Sequence, residues 1–224
     1  MKRGVFFDFD STMTTPIKLP RFHRHAIADS PEIFGAMTPQ EILANFGGRP
    51  RLARMAQLFE ELTKGGCELF IVSIGFRDTC ILPHLKAVGL DRHFKAENVF
   101  GQDSKEMQER GFVKGRLIAD LMAAPTRQWS PTEALFVDDS ARHVQSAAAV
   151  CEVIRVSGNG LSLLELDAVE ALARGEKAPL TGQPQWQLHP DEAIKALSSA
   201  PPAAGAWCVI SADFGPSHTD AKKK

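Results

Sequence analysis

The stretch "GVFFDFDST", residues 4–12, runs Val5, Phe6 and Phe7 straight into Asp8, and a further acid, Asp10, follows two positions on. An unbroken apolar run bounded by polar residues reads as a strand covered on both faces. The two acids at its end repel one another and lose hydration if that end is covered. Something else in the chain must compensate them.

Outward from this stretch the same pattern repeats. Apolar runs at "CELFIVS" (67–73), "AENVFG" (96–101), "EALFVDD" (133–139) and "CEVIRVS" (151–157) read as strands. Helical patterns separate them. In residues 51–66, Leu52, Met55, Ala56, Phe59 and Leu62 share one face, and Gly65-Gly66 is the stop. A helix over 77–90 is disturbed by Pro83, one over 115–124 stops before Pro125, and another covers 140–150. Strands alternating with helices predict an α/β fold with a doubly wound, mainly parallel sheet and a small insertion after the first strand. Residues 1–157 are expected to form the core, with the Pro-, His- and Gly-rich stretch 13–49 as a small cap-like insertion. Residues 158–224 are expected to form an extension. It holds a helix over 161–173 and a Pro- and Ala-rich, partly disordered tail with a strand candidate at "AWCVIS" (206–211). Trp186 and Trp207 are expected to anchor that tail on the core.

Composition narrows the function classes. The chain has 224 residues, 44% hydrophobic and 24% charged, with a net charge of -1. That describes a globular domain with a core, and no global field draws it to nucleic acid or an anionic membrane. No segment approaches a membrane span in length. Cys67, Cys80, Cys151 and Cys208 are scattered without a C-x-x-C pair, which fits reduced thiols and a cytoplasmic location.

Ligands of open parallel sheets bind at the carboxyl ends of the strands. The residues after each apolar run therefore belong to one site: Asp8 and Asp10, then Ser73, then Asp138 and Asp139. These acids cannot all be ionised together without a cation, and hard oxygen donors select Mg²⁺. Backbone N–H groups around Ile74 and Gly75 can approach an anion closely. Lys114, at the start of an apolar helix leading back to the Asp138 strand, supplies an amine. Lys105 is the competing lysine, in a more polar stretch. Carboxylates, Mg²⁺, a hydroxyl and a lysine are the equipment of phosphoryl transfer.

These residues resemble the haloacid dehalogenase superfamily of phosphohydrolases. "DFDST" (8–12), "IVSIG" (71–75), Lys114 and "FVDDS" (136–140) are similar to its four motifs, in order, over about residues 4–157. "DFDST" with "SIGF" is similar to the phosphoserine phosphatase branch. "FVDDSARH" departs from that branch's glycine-rich fourth motif, with His143 where Asn is common, so the branch stays open. The resemblance implies that Asp8 attacks phosphorus and Asp10 serves as acid and then base. It implies phosphate binding by Thr12, Ser73, Ile74, Gly75 and Lys114. Mg²⁺ would be held by Asp8, the backbone carbonyl of Asp10, and Asp139, with Asp138 assisting. The expected partner is a phosphorylated substrate, a small metabolite ahead of a protein or other macromolecule. A non-catalytic binding protein of the same fold is the third reading. His23 and His25 suggest a further metal site, but loop histidines without Cys or acid partners are more often surface residues.

Overall fold

The apolar runs pair into one parallel sheet. The computed structural model describes residues 1–16 and 36–177. Its strands are β1 (Gly4–Phe7), β2 (Glu68–Val72), β3 (Val99–Phe100), β4 (Ala134–Asp138) and β5 (Glu152–Arg155). They lie in the order β3-β2-β1-β4-β5, with every pairing parallel. The chain builds outward from β1 to β3 on one side, then returns to place β4 and β5 on the other. That reversal opens a crevice at the carboxyl end of β1 and β4. The register sets Phe7 level with Ile71 and Val137, so Asp8, Ser73 and Asp138 reach the same edge.

Side-chain alternation explains why the strands are apolar throughout. Val5 and Phe7 face one core together with Leu69, Ile71, Leu135 and Val137. Phe6 faces the other with Phe70, Val72 and Phe136. The first core is covered by helices α1 (Pro39–Asn45), α2 (Arg49–Lys64) and α3 (Leu82–Val88). The second is covered by α4 (Lys105–Glu109), α5 (Lys114–Ala123) and α6 (Ala141–Ala147). This is the doubly wound α/β arrangement expected from the sequence.

Local details differ from the sequence reading in ways that have physical causes. Pro83 sits in the first turn of α3, where its missing N–H costs nothing, so it starts that helix and a separate turn, Arg77–Ile81, precedes it. The short helices α1 and α4 were not expected. α1 is held by a capping box between Thr38 and Glu41, with Pro39 at its first position. α7 (Leu163–Arg174), expected in an extension, buries Leu166, Val169 and Leu172 in the first core and bonds to α2 through Arg54–Asp167 at 2.7 Å. The rest of the tail, including Trp186, Trp207 and "AWCVIS", lies outside the described residues, as do residues 17–35 with His23 and His25. Cys67, Cys80 and Cys151 are buried. Among the described residues no helix is long and apolar enough to cross a membrane.

Candidate active site

The end of β1 carries the first carboxylate into the crevice. Asp8 is 6% exposed. Its Oδ1 accepts the Phe9 N–H at 2.7 Å and lies 2.7 Å from Lys114 Nζ. Its Oδ2 carries no hydrogen bond among the described residues. Burial, and secondarily Asp138, push the Asp8 carboxyl up to about 6 even though Lys114 opposes the shift.

Lys114 is fully buried and lies 2.7 Å from both Asp8 Oδ1 and Asp138 Oδ2. Burial disfavours its charge, but the two carboxylates outweigh that and raise its pKa. The ammonium reaches this position because Gly115 lets α5 press against α6: a Cβ at Gly115 would collide with the Ser146 carbonyl. Lys105, by contrast, is exposed and pairs with Glu109 at 3.6 Å. Lys114 is thus the lysine that the fold brings to the acids.

Asp138 is fully buried and uses both oxygens, accepting Lys114 on Oδ2 and the Ser140 N–H on Oδ1 at 2.7 Å. Burial raises its pKa, yet His143 and Lys114 outweigh it and hold it below the ordinary value. His143 Nδ1 is 3.3 Å from Asp138 Oδ2 but off the hydrogen-bond direction, and among the described residues this buried nitrogen has no other partner. Asp8, Asp138 and His143 lie close enough together to hold a cation. Lys114 already stands between the first two, so that trio is a lysine cradle.

Asp139 is half-buried and takes a 3.4 Å contact from the Thr12 hydroxyl. Burial, then Asp138, raise its pKa. Asp10 is partly open to solvent. Its Oδ2 takes a 3.5 Å contact from Ser73 Oγ, and desolvation, then Asp8, push its carboxyl up to about 7. Ser73 is fully buried, and its hydroxyl accepts the Gly75 N–H at 3.1 Å. The Gly75 amide is therefore engaged within its own turn. Ile74 packs beside the second core.

Asp8, Asp10, Asp138 and Asp139 thus gather around one lysine at the carboxyl edge. Asp8, Asp10 and Asp139 are all held above their ordinary pKa values, by burial first and by a neighbouring carboxylate second. Thr12 stands against Asp139 as the sequence reading did not anticipate. That reading also missed Arg51, whose guanidinium donates to the Thr12 and Met13 carbonyls at 3.0 and 2.8 Å. No motif could have marked it, because its partners are backbone atoms from distant segments.

No family model and no curated protein match the chain. Solved structures similar to it include these three. One is a haloacid dehalogenase-superfamily hydrolase from Ehrlichia chaffeensis: 16% identity, TM-score 0.48, 78% of this chain and 98% of that chain covered. Another is a hydrolase of the same family from Deinococcus radiodurans R1 with bound phosphate and sodium: 14% identity, TM-score 0.46, 77% and 96% covered. L-2-haloacid dehalogenase from Xanthobacter autotrophicus, with chloropropionic acid covalently bound, is the third: 17% identity, TM-score 0.40, 88% of each chain covered.

Proposed function

We propose that this protein hydrolyses phosphate monoesters, with Asp8 as nucleophile and Asp10 as general acid and base. The observation that carries the reading is the division of labour between the two acids. Asp8 has one oxygen fixed by Phe9 N–H and Lys114 and the other free of hydrogen bonds. Asp10, two residues on, is pushed up to about 7, so it carries a proton for much of the neutral range. Asp8 Oδ2 attacks phosphorus as the ester P–O bond breaks, and Asp10 gives its proton to the departing oxygen. Asp10 then takes a proton from the water that releases phosphate and regenerates Asp8. An acid at position 10 favours this chemistry over dehalogenation, in which the leaving halide needs no proton.

A divalent cation suits the donor set. The four acids outnumber their single buried lysine, and all offer hard oxygen atoms. Asp8, the Asp10 carbonyl and Asp139 would hold Mg²⁺, because both Asp138 oxygens are already engaged. When bound, the ion neutralises charge on the phosphoryl group. Lys114 and Ser73 would bind phosphoryl oxygens, with Lys114 also restraining Asp8.

The substrate we favour is a small phosphorylated metabolite, with a phosphoprotein as the second reading. Hydrolysis of p-nitrophenyl phosphate by the purified chain tests the activity. Turnover that needs Mg²⁺, stops with chelator and is lost in Asp8→Asn is expected. Turnover undiminished in excess chelator would refute the metal requirement. A folded wild type inert towards phosphate esters would favour the non-catalytic reading.

A further inference from the structure

Arg51 stands in the first turn of α2 with its guanidinium largely enclosed. It donates to carbonyls of three separate segments: Nε to Leu161 at 2.6 Å, Nη1 to Met13 at 2.8 Å and Phe46 at 2.7 Å, and Nη2 to Thr12 at 3.0 Å. Among the described residues no carboxylate pairs with it. Burial pushes its pKa down to about 10, and the charge of Glu165, which is not in contact with it, opposes that shift. The space around it is shaped by glycines with left-handed backbones. A Cβ at Gly47 (φ +77°) would fall 2.7 Å from Arg51 Cδ, and one at Gly160 (φ +75°) would fall 2.9 Å from Nη2.

The three segments meet at the turn that follows Asp10. Gly160 N–H donates to the Ser11 carbonyl at 2.9 Å and Leu161 N–H to Thr12 at 2.8 Å. Thr15 N–H donates to the Asn45 carbonyl at 2.7 Å, which fastens the two ends of the 13–49 insertion together. Ser11, next to Asp10, is held at φ +58°, a conformation that an L side chain keeps only when its surroundings impose it.

We infer that Arg51 is a positioning residue that fixes the turn carrying Asp10, and so aims the general acid while tying the root of the insertion to it. The inference rests on the phosphohydrolase reading. Without the clamp the Ser11 turn relaxes and Asp10 no longer meets the leaving oxygen. The attack by Asp8 is affected less, because Asp8 is fixed separately by Phe9 N–H and Lys114. A lysine cannot replace the arginine, since a single ammonium cannot span carbonyls that converge from three directions.

The test is leaving-group dependence. kcat/KM is measured for p-nitrophenyl phosphate, whose leaving group departs without a proton, and for unsubstituted phenyl phosphate, which needs one. Wild type, Arg51→Lys and Arg51→Ala are compared, with thermal melts as a check on folding. Both variants should lose about 10-fold or more on phenyl phosphate and less than about 3-fold on p-nitrophenyl phosphate, as loss of a general acid predicts. Equal losses on the two esters, or none, in a folded variant would overturn the inference and leave the phosphohydrolase reading standing. If Arg51→Ala fails to fold, Arg51→Lys alone decides between these results. A folded wild type inert on both esters would overturn the underlying reading and the inference with it.

Discussion

The two ends of the sheet handle charge in opposite ways. At the amino end each acid has its own base. Lys2 reaches Glu152 at 2.7 Å, Arg3 reaches Glu133 at 3.6 Å, and Arg127 grips both oxygens of Glu68 at 2.8 and 2.9 Å. Arg127 also lies over Phe70, 4.9 Å from the ring centre. At the carboxyl end four acids share Lys114, and three of them are held above their ordinary pKa values. Paired charges fasten the strand starts. The surplus at the other end costs stability, and the proposed phosphoryl transfer would account for its being kept there.

The sharpest way to break this contrast is at Asp8. Asp8→Asn keeps the shape, removes the proposed nucleophile and relieves the burial of a charge. Turnover should fall by about 10³-fold or more. Burial raises the pKa of Asp8, so its ionised form is disfavoured by folding at neutral pH. The metal-free variant should therefore melt higher, by about 2–4 °C for each kcal/mol of desolvation relieved. A variant that melts lower in chelator would show that the carboxyl end is balanced after all.

Lys114→Met should come next. It strands two buried carboxylates and should cost about 3–5 kcal/mol in urea denaturation. A cost near that of an exposed pair would mean the lysine is not the hub of the cluster.

Within the acidic pair, Asp139→Ala should raise the Mg²⁺ concentration for half-maximal activity by about 10-fold. Asp138→Ala should mainly lower stability, because it removes a partner of Lys114. Titration of activity with Mg²⁺, beside melts of both variants, checks this, and the reverse order would exchange the two roles.

Arg127→Ala, at the paired end, should cost only about 1 kcal/mol and leave turnover unchanged. Arg127 holds the Glu68 pKa below its ordinary value, so this increment is present above the unfolded pKa and is lost as pH falls through the folded one. Urea midpoints of wild type and variant should therefore converge as pH drops below about 4.5, the ordinary glutamate value. A difference that persists in acid would assign the stabilisation to stacking on Phe70 and Trp129 instead.

The sheet was legible in the sequence because strands covered on both faces must be apolar throughout, and "VFF", "LFIV" and "LFV" leave little choice. The gathering of Asp8, Ser73 and Asp138 was legible for a related reason: parallel strands deliver the residues at their ends to one edge, and Lys114 opens the helix that runs back from that edge towards β4. Other features were not. Thr38 and Glu41 do spell a capping box, but α1 has seven residues, too few for periodicity to show. Alternation along β4 turns Asp138 to the Phe136 face, but how closely Lys114 meets it depends on the packing of α5 against α6 at Gly115, which exists only in the fold. Arg51 reads as an ordinary helix residue, since its partners are carbonyls whose positions exist only in the fold.

The central claim is that the surplus of acid at the carboxyl end exists to transfer a phosphoryl group through Asp8. The most direct test is to quench wild type in acid during turnover of an aryl phosphate with Mg²⁺ and map the peptides by mass spectrometry. The expected result is a covalent phosphate on the peptide spanning Asp8, absent from Asp8→Asn. Sustained turnover with no phosphate on that peptide, or phosphate found on Asp138 or Asp139 instead, would contradict it.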